Sequence, residues 1–208
     1  MPMLVRFAAL ALAVAGLSAV PSAGAASGVL VQQISSDGLT NPDGQHATQV
    51  EPDSFAHGNT VVAAFQVGRY VLKGGASGIG FATSTDGGKT WTHGTLPSLT
   101  VNSSPAGTYN RVSDPAVAYD AVHGKWLISS LALKEPCPTD CQSAVVVSTS
   151  SDGLSWSAPI AVAPLVGYFA HDKNWTVCDN GFSTPHRGTC YTSFSDFTAG
   201  RRIVTSSS

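Results

Sequence analysis

From about residue 30 onward the chain alternates short β-prone runs with turn-forming clusters, and no stretch carries the periodicity of an amphipathic helix. Val61-Val62-Ala63-Ala64-Phe65, Gly80-Phe81-Ala82-Thr83, Lys125-Trp126-Leu127-Ile128-Ser129, Val145-Val146-Val147-Ser148 and Thr189-Cys190-Tyr191-Thr192-Ser193-Phe194 all read as strands. Clusters rich in Asp, Gly, Asn and Pro separate them, as turns would. The pattern predicts an all-β chain.

The N-terminus departs from this pattern. Met1 to Arg6 carries one positive charge, Phe7 to Val20 is apolar, and Pro21-Ser22-Ala23-Gly24-Ala25 ends in small residues. That layout predicts a signal peptide over 1–25, cleavage after Ala25, and an exported mature domain over 26–208. The apolar stretch is shorter than the roughly 20 residues a membrane-spanning helix needs.

Two elements recur. Ser84-Thr85-Asp86-Gly87-Gly88-Lys89-Thr90-Trp91 returns, one residue shorter, as Ser150-Ser151-Asp152-Gly153-Leu154-Ser155-Trp156. An Asp carboxylate at such a place accepts hydrogen bonds from nearby backbone N–H groups, Gly supplies the left-handed dihedral, and Trp returns to the sheet. Ser84, Asp86, Gly88, Trp91, Ser150, Asp152, Gly153 and Trp156 are therefore scaffold residues on this reading. The second element precedes each strand group: Glu51-Pro52-Asp53, Asp114-Pro115-Ala116 and Asp172-Lys173-Asn174. The repeating unit is about sixty residues of strand and turn.

Ser84 to Trp91 resembles the Asp-box, or BNR repeat, of the sialidase superfamily, and Ser150 to Trp156 is a close variant. The alternation of an acidic strand start with such a box resembles successive blades of a sialidase-like β-propeller. The resemblance implies about three four-stranded blades, near 30–110, 111–168 and 169–208, the last one short. Carrying the spacing forward puts a third box Asp at 207–210, and Ile203 to Ser208 resembles the run into it. The expectation is an incomplete propeller forming the N-terminal part of a longer reading frame; the alternative is a half-propeller that closes by self-association.

The resemblance further implies a secreted, glycan-directed protein, in the first instance a sialidase-type exo-glycosidase. The alternative is a non-catalytic propeller that binds glycans or proteins. A full family site has three Arg clamping the substrate carboxylate, a Tyr activated by Glu and an Asp acid/base. Guanidinium forks suit such a carboxylate. Here the Phe/Tyr-Arg-Ile-Pro motif is absent, and Glu51 and Glu135 are the only glutamates. The catalytic candidates that remain are Glu51, Asp114, Asp172 and Arg111; the three acids open equivalent strands and are expected to ring one mouth of the axis. Arg111 and Lys173 are expected to pair with their neighbours Asp114 and Asp172.

The remaining chemistry adds less. Cys137 with Cys141, and Cys178 with Cys190, are the simplest disulfide pairs in an exported chain. Their spacing lacks the paired knuckles of a zinc site, so no metal and no cofactor is expected. His171 and His186 read as loop or surface residues, and Tyr191 as packing. Asn102 and Asn174 each fit the glycosylation pattern. With 12% charged residues and a net charge of −2, neither a nucleic-acid surface nor a polybasic membrane anchor fits.

Overall fold

The structure is a computed structural model that describes residues 28, 30–72, 74–135, 142–168, 170–198 and 200–208. The fold concerns the unit Ile34–Ser208. The signal-peptide segment and the Cys137–Cys141 pair lie outside the described residues.

Among the described residues every regular element is a strand. The first group is β1 (Gln45–His57), β2 (Thr60–Arg69), β3 (Ala76–Ser84) and β4 (Thr92–Thr95). The second is β5 (Arg111–Asp120), β6 (Lys125–Lys134), β7 (Gln142–Ser150) and β8 (Ile160–Tyr168). The third is β9 (His171–Cys178), β10 (Cys190–Asp196) and β11 (Arg202–Ser207). Each group is an antiparallel meander in chain order, and the single pair Ala76 with Val112 links the first two. β5 lies beside both β1 and β9, so the first strands of the three groups cluster together, as the inner strands of propeller blades do.

The apolar runs follow from this stacking. A strand in the middle blade is covered on both faces, so it loses the in–out alternation of a half-solvated sheet. Ile128, Ala144 and Val146 turn one way, with Trp126 and Trp156, onto Val62, Ala64, Ile79 and Phe81 of the first blade. Leu131, Leu133 and Val145 turn the other way, onto Phe194 of the third. Polar groups stitch the same seams. Asp53 accepts from the Val117 amide at 2.7 Å, and Asn174 Nδ2 donates to Ser129 Oγ at 2.8 Å.

Each of the two Ser-x-Asp turns closes on its own aspartate. Asp86 Oδ1 accepts from Ser84 Oγ and from the amides of Lys89 and Thr90 at 2.8–2.9 Å. Asp152 Oδ1 accepts from Ser150 Oγ, Leu154 N and Ser155 N over the same range. The indole N–H of Trp91 donates to Gly88 O, and that of Trp156 to Gly153 O, both at 3.1 Å. These bonds hold both carboxyls below their usual range. The Thr90 hydroxyl does most at Asp86, and the Ser155 amide does most at Asp152.

Cys178 and Cys190 are cross-strand partners joined by a disulfide. The pair fixes the β9–β10 hairpin at the base of its loop. Asn174 departs from the sequence expectation: it is fully buried and engaged with Ser129, so it is no glycosylation acceptor in the folded chain. His171 departs as well, because it is buried rather than on the surface.

Candidate functional site

All three inner strands carry a β-bulge near their start. Between Val50 and Asp53, between Ser113 and Ala116, and between Asp172 and Trp175, the inner strand advances three residues while its partner advances two. The surplus residue adopts a left-handed backbone in each case: Glu51 at φ 53°, Asp114 at 49° and Lys173 at 46°. A bulge twists the strand and re-aims the side chain it carries.

The register therefore corrects the sequence reading. Glu51 and Asp114 are equivalent, but their counterpart in the third blade is Lys173. Asp172 sits one place earlier, opposite Ser195, at the position Val50 and Ser113 fill in the other blades. The rim carries two carboxyls and an ammonium group, not three acids.

The carboxyls are mutually engaged. Gln66 Nε2 donates both to Glu51 Oε2 and, at 3.1 Å, to Ser113 Oγ. Ser113 Oγ in turn donates to Asp114 Oδ1 at 2.6 Å. Partial burial, and then the charge of Asp114, pushes the Glu51 carboxyl above its ordinary value, while Lys173 pulls the other way. A carboxyl whose proton affinity is raised beside a second carboxyl is an arrangement acid/base chemistry uses. Gln66 is itself 1% exposed, and its Oε1 has no partner.

Arg111 does not pair with Asp114. Its Nε donates to Glu135 at 2.7 Å, and its Nη1 donates to the carbonyls of Leu72 at 2.7 Å and Gly74 at 3.2 Å. The guanidinium also lies 4.2 Å from the centroid of the Tyr70 ring. These bonds tie Leu72 and Gly74 to the second blade and direct Nε and Nη1 into the fold. Lys173 forms no ion pair with Asp172 among the described residues; its ammonium stands 5.6 Å from the Trp175 ring centroid.

Two clefts flank the rim. One, of about 270 Å³, runs along the inner strands and is walled by Phe55, Tyr119 and Trp175, with Asp53 and Asn180 as polar groups. The other, of about 350 Å³, opens between the second and third blades beside Ser113, His171 and Asp172. The two Ser-x-Asp turns follow β3 and β7 at the opposite ends of the sheets. Tyr191 is half-buried within β10.

Sequence reasoning missed Gln66 and Ser113, and gave Lys173 and His171 other places: an ion pair with Asp172 and the surface. A signal for Lys173 was present: aligning the three copies by strand phase, rather than by their acids, brings Lys173-Asn174 under Glu51-Pro52 and Asp114-Pro115. Among the described residues no group of three or more His, Cys, Asp or Glu converges to hold a metal ion. No helix there is long and apolar enough to cross a membrane.

No protein-family model matches the chain, and no curated protein matches it significantly. Solved structures do. It is similar to a Hadza microbial sialidase, with a TM-score of 0.53 and 19% identity over 77% of this chain and 34% of that one. It is similar to the intramolecular trans-sialidase from Ruminococcus gnavus, solved with oseltamivir carboxylate, with a TM-score of 0.51 and 14% identity over 79% and 58%. The third is the Trypanosoma rangeli sialidase solved with sialic acid, with a TM-score of 0.50 and 16% identity over 86% and 32%. The chain thus spans between a third and three-fifths of the length of these structures. What they share with it is architecture: this chain folds as a sialidase-like β-propeller.

Proposed function

We propose that the chain is the glycan-directed face of a secreted propeller, with glycoside hydrolysis of the sialidase type as its activity. The observation that supports this most is the rim itself: on a sialidase-like fold, the bulged starts of adjacent inner strands set Glu51 against Asp114 and raise the proton affinity of Glu51. Glu51 would hold its proton to higher pH than an ordinary glutamate, which suits a proton donor. The N-terminal leader supports export, and the solved structures of like fold include sialidases and trans-sialidases.

The test is turnover of a fluorogenic sialic-acid glycoside by the full chain between pH 4 and 8. Turnover that falls at least a hundredfold in Glu51→Gln and in Asp114→Asn is the expected result. No turnover at any pH overturns the hydrolase reading. A second reading, glycan binding without catalysis, has its own support. The Nε and Nη1 of Arg111 are already bonded within the fold, and the inner cleft is aromatic, with Trp175 48% exposed and Phe55 39% exposed. Binding of sialyllactose without its hydrolysis would establish that reading.

A further inference from the structure

The cleft between the second and third blades has a built interior. Leu131 and Leu133 of β6 and Phe197 form apolar walls, while Ser113, His171 and Asp172 contribute the polar groups. His171 is 4% exposed and held from two sides. Its Nδ1 lies 3.0 Å from the carbonyl oxygen of Ser143, and its backbone N–H donates to Ser143 Oγ at 2.8 Å. Its ring meets Phe194 edge-on at 5.1 Å. A carbonyl oxygen only accepts, so Nδ1 carries a proton, and in the neutral ring Nε2 is the acceptor.

Ser113 connects this cleft directly to the carboxyl pair, because the same hydroxyl that lines it donates to Asp114. No Arg or Lys is among the described residues lining the cleft, and the nearby Arg111 directs its Nε and Nη1 to Glu135 and two carbonyls. An acidic ligand would meet the Asp172 carboxylate without a compensating charge. A neutral ring with apolar C–H faces and hydroxyls at its rim meets matching groups on every side.

We propose that this cleft is a subsite for a neutral pyranose ring. The C–H face packs on Leu131, Leu133 and Phe197, and hydroxyls donate to His171 Nε2 and to the Asp172 carboxylate, which is exposed and reachable. The packing of His171 on Phe194 and Ser143 fixes that acceptor before any ligand arrives, which lowers the ordering cost of binding. The proposal rests on the glycan-directed reading above and names the kind of sugar that the blade 2–3 side of the rim accepts.

Lactose is the probe, titrated into the full chain and followed by saturation-transfer NMR. The expected result is specific transfer to the ring protons, at least tenfold weaker affinity in Asp172→Ala, Phe197→Ala and His171→Leu, and no change in Lys125→Ala on the far end of the sheets. Asp172 is exposed, so its replacement tests the site even where His171→Leu fails to fold. Absence of lactose binding, unchanged binding in Asp172→Ala and Phe197→Ala, or tighter binding of free sialic acid at this cleft would each overturn the proposal. Sialoside turnover measured on the same samples separates the two readings. Lactose binding without turnover sinks the hydrolase reading and keeps the subsite, whereas turnover without lactose binding sinks the subsite alone.

Discussion

Thr83, in the third strand of the first blade, donates its hydroxyl to the carbonyl of Gly153 in the second blade at 2.6 Å. The same carbonyl accepts the Trp156 indole, and Trp156 packs against Phe81 at 5.8 Å between centroids. The Ser-x-Asp turn of one blade is thus a docking element for its neighbour as well as a local turn. Gly153 has φ +73°, and a methyl group there would come within 3.0 Å of Val62 and 3.1 Å of Thr83.

Gly153→Ala should therefore be costly. The left-handed backbone alone costs an L-residue about 1–2 kcal/mol, and the side chains of Val62 and Thr83 must also give way. Gly87 has a similar φ of +74°, but nothing lies within 4 Å of its notional methyl. Thermal unfolding of the two variants checks this: Gly153→Ala is expected to fall further in Tm than Gly87→Ala, and equal losses would show that the blade contact contributes nothing.

The Glu51 carboxyl is expected to make stability depend on pH in a definite direction. Its folded value lies above the ordinary 4.5 because of burial and Asp114. The protonated form is the one the fold favours, so this contribution is complete below pH 4.5 and is lost as pH rises through the raised value. Glu51→Gln cannot ionise. The stability of the native protein relative to this variant should fall as pH rises above 4.5 in urea titrations, and a constant difference would contradict the coupling.

Arg111→Lys keeps the charge but loses the fork that serves Glu135, Leu72 and Gly74 together, and it weakens the stack on Tyr70. A cost of about 1–3 kcal/mol follows from the hydrogen bonds to a charged group that it removes. The variant should still bind glycans as before, because Arg111 makes no contact with the rim acids. A variant of full stability that fails to bind would mean the guanidinium serves the ligand instead.

Replacing Cys178 and Cys190 together by Ser should cost about 2–3 kcal/mol, the usual scale for a bridge that closes a short loop. Chemical denaturation with and without reductant gives the same comparison on the native chain. No difference would show that the hairpin is held by its strand pairing alone.

The proposal of export carries its own prediction. The mature N-terminus should be Ala26, read by mass spectrometry of protein from culture fluid. A retained Met1 would refute the leader.

Strand positions are legible in this sequence because β-prone runs and turn residues obey local rules. The paired turns are legible because Asp86 and Asp152 organise their own backbones within four residues. The rim is not legible in the same way. Which residue of Asp172-Lys173-Asn174 corresponds to Asp114 depends on a cross-strand count, and a bulge shifts that count by one without leaving a compositional mark. Pro52 and Pro115 flag the bulge in two blades, but in the third Asn174 stands in that position and bonds Ser129 instead. Arg111 misleads for a related reason: its partner Glu135 is 24 residues away, just beyond Leu133, the residue Arg111 faces across the ladder.

The bulges also imply something about how such a surface changes over time. The surplus residue is unpaired in its ladder, so its side chain can be exchanged while the sheet around it keeps its pairing. The three blades already display the range, with Glu51, Asp114 and Lys173 holding one backbone geometry under opposite charges. The mouth of the axis is thus a set of replaceable sockets, and a propeller of this kind can reverse the charge it presents there one blade at a time without redesigning its core.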